Sequence, residues 1–464
     1  MKSTVRIISS RGQKRNRPKH LYSRRYIVMT EDIGIKQNYL SPRWSGEVCD
    51  CSMPLALDTY NTCSYNCLYC FAFFQKSHTD ISYKQDLGNS KNREVRSVNP
   101  QKIRDLFTNC LNDEPKTVAE KQMYPYIRNR VTIQWNGLAD GFDEWERMYG
   151  VTLELLEFFD KIDYPLSMGT KATWWTEDSR YMDLFSKHTH NWHMKMSINT
   201  LDEKKASIIE EYCPTPQERL DAIGRLTDIG IPVTLRLRPY IIGYSDDYPL
   251  LIREASKMGA DSMVTEFFCL DDRATPELRQ KYARISKVLG YDVLDFYKKH
   301  SSGRSYLRLN YKIKKPIIKN MKKIAHKNKM RFYVSDAHHK EKCDTTCCCG
   351  TPLHFKTYNG QYTQALTIAK QRKDHTVRWS DIEEEVNKYM SHFKWYDSVG
   401  FNTGFARTRV RRLNQTMADY LREIWNTPKN SKSPYKYFDG VLYPIGLDDD
   451  NNVIYKLNLK KMRS

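Results

Sequence analysis

The chain has 464 residues, of which 40% are hydrophobic and 12% aromatic, and this content excludes an intrinsically disordered chain. A formal net charge of +20 favours an anionic partner, most simply DNA or RNA, although a solvated basic surface would give the same balance. The twelve cysteines cluster, and no signal segment or membrane-length apolar run is present. The sequence therefore predicts a cytoplasmic protein without a membrane partner, and it argues against a secreted disulfide framework.

The N-terminal segment, residues 1–48, is basic. Arginine and lysine are dense through Arg25, and Gly12 and Pro18 interrupt any regular pattern. Such an arm would either contact phosphates or be a mobile tail. Cys49 and Cys51 follow it, and we interpret this Cys-x-Cys pair as plain thiols.

Three cysteines follow the first predicted strand, residues 53–57. Cys63, Cys67 and Cys70 have the spacing Cys-x3-Cys-x2-Cys, which lets three sulfurs point to a common centre, as in short iron-sulfur motifs. A closed structural zinc site needs four protein ligands, so three cysteines leave one coordination position open. A zinc knuckle or three unrelated buried thiols is the alternative.

Apolar strand-like runs then alternate with amphipathic helix-like stretches, for example at 150–161 and 215–229. The predicted strands are 53–57, 131–135, 165–169, 193–198, 232–237 and 262–267. This alternation predicts an α/β fold, a partial (β/α)6 barrel of the TIM type, with a basic N-terminal arm and an α-rich C-terminal extension. The cysteine loop would lie at the C-terminal end of the first strand, where barrels of this kind place catalytic groups.

The cysteine spacing, with Tyr69 directly before Cys70, resembles the cluster loop of the radical S-adenosylmethionine (SAM) enzymes. The resemblance implies that Cys63, Cys67 and Cys70 hold a 4Fe-4S cluster whose fourth iron binds SAM. Reductive cleavage of SAM would then release a 5'-deoxyadenosyl radical. An external one-electron reductant, flavodoxin-like or ferredoxin-like, would supply the electron.

A second resemblance, to the spore photoproduct lyase branch of this superfamily, covers residues 55–268. Its motifs come in the family's order and spacing, mostly at predicted strand ends. They are Gly-Leu-Ala-Asp-Gly-Phe-Asp-Glu-Trp-Glu at 137–146, Gly-Thr-Lys at 169–171, Met-Ser-Ile-Asn at 196–199, Pro-Gln-Glu-Arg-Leu at 216–220, and Arg-Leu-Arg-Pro-Tyr-Ile-Ile-Gly at 236–243.

The resemblance implies roles for three residues beside the cluster. Lys171 would supply a cation to the cofactor carboxylate, and the Ser197 hydroxyl would hydrogen bond to the cofactor. Tyr69 would place an aromatic ring beside the cluster and its backbone near the adenine, or it would simply pack. Asp140 and Glu146 are polar candidates near the second strand, without an assigned role.

One position departs from the lyase pattern. The lyase has a hydrogen-donating cysteine three residues before the matched aspartate, and this chain has Gly137 there. Either another residue quenches the product radical or the reaction differs from the splitting of a thymine dimer. Cys213 and Cys269 are candidates for a displaced donor, but lone cysteines in such segments are more often core residues.

Residues 301–355 are basic and then cysteine-rich. The stretch 304–329 carries apolar residues at helical spacing and predicts a lysine-rich helix interrupted at Pro316, able to follow a nucleic acid backbone or simply solvated. A strand is predicted at 331–335. The following segment carries His338 and His339 and then four cysteines that predict a second metal site, either iron-sulfur or zinc, with reactive thiols as the alternative: Cys343, Cys347, Cys348 and Cys349.

The last segment, residues 356–464, interleaves aromatic and charged residues. Helices are predicted at 379–390 and 407–425, the second with an arginine-rich first turn, and a polar linker at 428–434. Arginine beside aromatic rings would serve either nucleic acid binding or docking on the barrel.

The sequence thus predicts four segments, with the barrel at residues 49–300, and a radical SAM enzyme that acts on DNA or RNA for repair or modification. Two alternatives remain: a radical SAM enzyme that modifies a peptide or small molecule, and a nucleic-acid-binding protein with structural metal-cysteine clusters.

Overall fold

The computed structural model describes residues 34–44, 51–72, 94–272, 275–301, 306–391 and 415–463. The predicted basic arm up to Arg25, Cys49, and the arginine-rich stretch 407–412 lie outside the described residues. In chain order the strands are β1 Arg43–Trp44, β2 Leu55–Leu57, β3 Ile133–Trp135, β4 Leu166–Thr170, β5 Trp192–Ser197, β6 Val233–Tyr240, β7 Ser262–Phe267, β8 Cys269–Asp271, β9 Tyr306–Arg308, β10 Arg331–Val334, β11 Thr376–Val377, β12 Leu442–Leu447 and β13 Val453–Leu457.

Sixteen α-helices connect these strands within the described residues. They are α1 Pro100–Leu111, α2 Val118–Arg128, α3 Glu144–Tyr149, α4 Val151–Lys161, α5 Ser179–Lys187, α6 Glu203–Ile209, α7 Pro216–Asp228, α8 Tyr248–Lys257, α9 Pro276–Leu289, α10 Val293–His300, α11 Tyr311–Lys327, α12 Tyr362–Gln371, α13 Ser380–Met390, α14 Met417–Trp425, α15 Pro434–Tyr437 and α16 Leu459–Arg463. Short 3-10 turns lie at Trp174–Glu177 and Ala337–Lys342.

An eight-stranded, mostly parallel sheet forms the centre of the molecule. Its order is β1-β2-β3-β4-β5-β6-β7-β10, and only the edge strand β1 runs antiparallel to its neighbour. In the described part of the chain no pairing joins the first strand to the last, so the sheet is an open, partial barrel. The six strands expected from the sequence are therefore confirmed, as is the mixed α/β class.

The central strands are apolar because they are buried on both faces. Every residue of β4 and of β5 is buried, as expected for parallel strands that are covered on both faces. The helix α7 begins at Thr215, whose side chain forms a capping box with Glu218, and it has Pro216 in its first turn. Gly230, at φ 88°, then turns the chain toward β6. Strong local signals thus fix where each βα unit starts and stops.

The basic helix α11 differs from its prediction. It runs without interruption through Pro316, so the predicted break is wrong. Its apolar face is buried at Ile318, Met321 and Ala325, and this packing outweighs the one backbone hydrogen bond that proline removes. Lys314 is also buried and forms an ion pair with Asp336, so not all its lysines face solvent. The helix leads directly into β10, the last strand of the main sheet.

The C-terminal region forms a second sheet of three antiparallel strands, ordered β11-β13-β12, which the sequence did not predict. The predicted helix at 407–425 begins only at Met417, because Thr416 caps it through a capping box with Asp419. Trp379 and Trp425 are fully buried between the helices and this sheet. Tyr437 and Phe438, two aromatic residues of this segment, are also buried, which favours packing inside the protein over base stacking.

Candidate active site at the cysteine loop

The cysteine loop follows β2 and lies at the C-terminal end of the parallel sheet. Cys67 is buried, and Cys63 and Cys70 are half-buried. The backbone N–H of Leu68 donates to the carbonyl of Ile209 at 2.9 Å, and Lys281 Nζ donates to Asn66 Oδ1 at 2.9 Å. These contacts hold the loop between α6 and α9.

The structure brings a fourth thiol to this loop. Cys213 Sγ lies 3.6 Å from Cys67 Sγ, and this hydrogen bond, together with the nearby ammonium of Lys171, lowers the pKa of Cys67 to about 7. From the sequence, Cys213 is a candidate for a displaced donor, although such cysteines are more often core residues, and nothing there connects it with Cys67, 146 residues away in the chain. Only the return of the chain after α6 places it here.

Two carboxylates from the loop after β3 fix the cysteine loop to the sheet. Asp143 accepts the backbone N–H of Ser64, within the cysteine loop, and that of Trp145 at 3.0 Å. Asp140 accepts from the Thr170 hydroxyl and from the Lys171 backbone N–H, both at 2.7 Å. Burial raises the pKa of both carboxyls, and for Asp143 the neighbouring Asp140 raises it further. Their position indicates a role in holding the ends of β2 and β4 together.

Glu146, the other polar candidate, is a buried structural carboxylate. It accepts hydrogen bonds from the hydroxyls of Tyr60 and Tyr181, each at 2.7 Å, and from the backbone N–H groups of Thr152 and Leu153 at 2.7 and 2.8 Å. All of its acceptor capacity is committed to the protein. Glu146 therefore stabilises the loop that follows β3 through these buried hydrogen bonds.

Lys171, Tyr69 and Glu210 form one network beside the thiols. The ammonium of Lys171 lies 5.6 Å from the centre of the Tyr69 ring. The Tyr69 hydroxyl donates to Glu210, and Glu210 pairs with the fully buried Arg219 at 2.5 Å. Burial opposes the charge of Lys171, but the negative charges of the Cys67 thiolate and the Glu210 carboxylate raise its pKa, so Lys171 is a cation next to the cysteine loop.

Tyr69 is thus anchored by its side chain. Asn199 Nδ2 donates to its hydroxyl at 2.8 Å, which ties the cysteine loop to the end of β5. Burial would raise the pKa of Glu210, but Arg219 and Lys171 lower it below its ordinary value. The ring packs in this network, so only the backbone of Tyr69 stays available near the cysteines.

Ser197 is buried at the end of β5. Its Oγ accepts from Arg236 Nη1 at 3.2 Å. The structure therefore places Ser197 at the same sheet edge as Lys171, at the ends of adjacent strands. Contact with a cofactor remains a prediction for both residues.

The guanidinium of Arg43 lies where a side chain at position 137 would begin. A Cβ on Gly137 would lie 2.5 Å from Arg43 Nη2, and Arg43 Nε donates to Asp58 Oδ2 at 2.9 Å. The other oxygen of Asp58 accepts the backbone N–H of Leu138 at 2.7 Å. A larger residue at 137 would therefore displace a guanidinium that is held by a buried carboxylate.

A small cavity of about 10 Å³ lies on the inner face of the sheet, about the size of one water molecule. It is rich in cations: Lys195 is buried, Arg236 is half-buried, and Arg238 pairs with Glu266. Burial lowers the pKa of Lys195, and burial with the charge of Arg238 lowers that of Arg236 to about 10. The lining residues are Gln134, Asn136, Gly169, Lys195, Arg236, Arg238, Val264 and Cys349.

The second cysteine group follows β10, and all four of its thiols are buried. Cys343 Sγ accepts the backbone N–H of Val334 at 3.3 Å and contacts the Val334 carbonyl at 3.4 Å. A hydrogen bond from Cys349 lowers the pKa of Cys347 to about 7. The second metal site predicted here stays a prediction.

The exposed side of α11 carries a groove of about 220 Å³. Lys319 and Lys323 are exposed one turn apart, and neither forms an ion pair within the described residues. Lys322 is committed instead to Asp344 at 2.7 Å. The groove is lined by Lys315, Ile318, Lys319, Lys322, Lys323, His326 and Lys342.

None of the helices within the described ranges has both the length and the apolar character needed to cross a bilayer.

No protein-family model matches the chain. A curated protein of Acidianus two-tailed virus, described as uncharacterized protein ORF301, is 25% identical over 126 residues. That match covers 26% of this chain and 41% of the viral protein, so the chain spans less than half the length of this relative.

The chain is similar to solved structures that include variants of spore photoproduct lyase. A cysteine-to-serine variant has 15% sequence identity and a TM-score of 0.45, over 65% of this chain and 80% of that chain. A second variant, with bound AdoMet and dinucleoside spore photoproduct, has 16% identity and a TM-score of 0.43, over 62% and 78%. SuiB of Streptococcus suis bound to S-adenosylmethionine has 13% identity and a TM-score of 0.38, over 63% and 52%. All three similarities have sequence identities of 16% or less and TM-scores below 0.5.

Proposed function

We propose that the chain is a radical SAM enzyme with its active site at the C-terminal end of the sheet. The observation that carries this proposal is the position of Cys63, Cys67 and Cys70 in one anchored loop beside the ammonium of Lys171. Metal-binding thiolates with one open position and an adjacent buried cation suit a cofactor that carries a carboxylate.

The spacing of the sulfurs favours a cluster over a single zinc ion. With Zn–S bonds of about 2.3 Å, a tetrahedral site holds its sulfurs about 3.8 Å apart. Among the described residues no three cysteine sulfurs lie within 4.8 Å of one another. At least one pair of sulfurs in the triad is therefore farther apart than a single zinc ion would hold it, whereas a cluster lets each sulfur bind a different iron.

The roles of the residues follow from their places. Cys63, Cys67 and Cys70 would hold the 4Fe-4S cluster, which, when bound with SAM and reduced from outside, supplies a 5'-deoxyadenosyl radical. Lys171 would pair with the cofactor carboxylate, and Ser197, held by Arg236, would orient the cofactor from the end of β5. The backbone of Tyr69 stays fixed by the bonds of its side chain to Glu210 and Asn199.

We propose DNA or RNA as the substrate. The free lysines of α11 can neutralise phosphates, and the net charge of +20 strengthens the attraction. The small cavity is lined by more cations than carboxylates, so it favours the binding of an anionic group. Its volume is enough for about one oxygen atom and too small for a base. The phosphate backbone would therefore lie outside the sheet, and only a substrate oxyanion would reach inward.

Anaerobic reconstitution with iron and sulfide tests the chemistry. We expect about four irons per chain bound at the loop, a cluster spectrum that changes when SAM is added, and 5'-deoxyadenosine under reduction. Lys171→Met should keep the iron but weaken SAM binding about tenfold or more, while Lys187→Met, an exposed lysine, should change neither. Retained zinc without 5'-deoxyadenosine would contradict the proposal.

Binding to a DNA duplex and to single-stranded DNA over a salt series tests the substrate. Replacing Lys319 and Lys323 by alanine should reduce the slope of log K against log salt by about 2, because each phosphate contact contributes about 0.9. The matched control replaces Lys102 and Lys121, two exposed lysines of α1 and α2. Affinity that does not depend on salt would remove nucleic acid from the proposal and leave a peptide or small molecule.

One observation favours a second candidate, a nucleic-acid-binding protein with a structural metal. Cys213, 3.6 Å from Cys67, could complete a closed four-thiolate site. Cys213→Ser separates the two candidates: the enzyme keeps its cluster and its 5'-deoxyadenosine formation, whereas the closed site loses its metal.

A further inference from the structure

Three metal-binding side chains meet at the opposite end of the sheet from the cysteine loop. Asp163 precedes β4, and His188 and His190 precede β5. The length of β5, about 16 Å, separates this group from the end of the sheet where the cysteine loop lies. Asp163 Oδ1 is 3.3 Å from His188 Nδ1 and 3.1 Å from His190 Nε2. In the described part of the chain this is the one group of three or more His, Cys, Asp or Glu ligand atoms that all lie within 4.8 Å of one another.

The surroundings of His188 carry the inference. Its Nε2 lies 2.8 Å from Asp160 Oδ1, and its Nδ1 lies near two more acceptors, Asn191 Oδ1 at 3.2 Å and Asp163 Oδ1. A neutral imidazole can donate from only one nitrogen. The orientation of Asn191 is fixed, because its Nδ2 donates to Asp163 Oδ1 at 2.7 Å and to the Asp163 carbonyl at 3.2 Å. In the neutral tautomer whose Nε2 donates to Asp160, the lone pair of Nδ1 faces oxygen lone pairs, an arrangement that a cation between them would satisfy.

The ring of His188 is held in one orientation by its neighbours. It is buried and stacks on Trp192 with 4.2 Å between ring centres and 15° between planes. Its contact with Asp160 is the carboxylate–histidine pair that orients ligand histidines in metal sites. Arg130 Nη1 fixes the aspartate side by donating to the carbonyls of Ile162 and Asp163 at 2.8 and 3.1 Å.

We propose that Asp163, His188 and His190 bind a zinc ion. Zn–N distances of about 2.0–2.1 Å and Zn–O distances of about 2.0–2.2 Å place tetrahedral ligands about 3.3 Å apart, close to both oxygen–nitrogen distances here. Imidazole and carboxylate are ligands that Zn²⁺ accepts. Asp163 and His190 are exposed, so the fourth position opens to water. The ion would join the loops before β4 and β5, independently of the chemistry at the cysteine loop.

The site can be tested on the full chain with its cluster reconstituted and then treated with a chelator. Co²⁺ as a probe should give weak visible bands of a nitrogen and oxygen site, without the intense sulfur charge-transfer bands that a thiolate site would add. Zn²⁺ should displace it at one ion per chain and raise Tm.

Substitutions of exposed ligands test the site without disturbing the folded core. His190→Ala and Asp163→Asn change exposed side chains and should weaken Co²⁺ binding about 100-fold, and Asp160→Asn about 10-fold, as for other outer ligands. The control is His326→Ala, an exposed histidine that contacts a single carboxylate, Asp344, at 2.8 Å. Binding that is unchanged in His190→Ala, or a Co²⁺ spectrum of sulfur type only, would overturn the proposal.

Discussion

The two cysteine groups contain four thiols each, but their sulfurs have different neighbours. In the loop after β2, Cys63 and Cys70 are half-buried and the loop borders the cation of Lys171. In the loop after β10 every thiol is buried, and Cys343 is committed to the backbone of Val334. The number of cysteines alone does not distinguish the groups. The clearest difference is exposure at Cys63 and Cys70, which are half-buried, whereas every thiol of the second group is buried.

The strongest test of this contrast removes one sulfur from each group. Cys67→Ala should lose the iron and reduce 5'-deoxyadenosine formation to background, because the triad then supplies only two ligands. Cys347→Ala should keep both. Iron per chain and 5'-deoxyadenosine are the measurements, and Tm confirms that both variants fold. Equal loss of iron in the two variants would mean that the second group also binds a cluster.

The next largest effect concerns what holds the first group in place. Glu210→Gln breaks the buried pair with Arg219 and should reduce the free energy of unfolding by about 3–5 kcal/mol. The neighbouring Glu211→Gln removes a partly exposed pair with Arg284 and should change it by less than about 1 kcal/mol. Chemical denaturation measures both.

The Glu210 effect should also depend on pH. The pKa of Glu210 is lowered in the folded protein, so its stabilisation is present above the ordinary value of 4.5 and is lost as the pH falls through the folded value. The difference between wild type and Glu210→Gln should therefore shrink in acid. A difference that stays constant down to the pH of acid unfolding would show that the carboxylate charge does not contribute.

A smaller effect is expected in the second group. Cys343→Ala leaves the backbone N–H of Val334 without its acceptor and should reduce the free energy of unfolding by about 1–3 kcal/mol, with iron content unchanged. Loss of iron together with stability would instead assign this group a metal, and the contrast between the groups would fail.

The smallest effect has the opposite sign. Lys195→Met removes a buried cation beside Cys349 and should increase the free energy of unfolding by about 1 kcal/mol. Because the pKa of Lys195 is lowered in the folded state, the penalty is complete below that folded value and disappears as the pH rises through 10.5, the ordinary value. Substrate turnover should fall in this variant, while 5'-deoxyadenosine formation without substrate should persist.

Local signals predicted much of the fold. The capping box at Thr215, Gly230 and the apolar runs located the strands to within a few residues. Long-range packing decided the rest. Pro316 did not break α11, because burial of Ile318 and Met321 outweighed one backbone hydrogen bond. The three-stranded C-terminal sheet escaped prediction because its strands are short or expose residues such as Ile445 and Leu447, so they lack a clear apolar alternation.

The candidate site divides in the same way. The sequence could predict that the three cysteines share one loop, because the motif is local. It could also predict that Lys171 lies at a strand end, because the lysine follows a clear apolar run. Cys213, Lys195 and Asp163 were not, since each gains its meaning from residues that only the folded chain brings near. A His-x-His pair at 188–190 was present as a signal, but without the aspartate of the preceding loop it is weak evidence for a metal.

The arginine at the Gly137 position also constrains how this protein could change by mutation. Gly137→Cys alone would push against the Arg43 guanidinium, and Arg43→Ala alone would remove the cation that pairs with buried Asp58. A side chain at 137 therefore requires the guanidinium to move, and removal of the guanidinium takes away the cation of Asp58 whether or not residue 137 also changes. The effect of a substitution at 137 therefore depends on the residue at 43, so we expect the two positions to be epistatic.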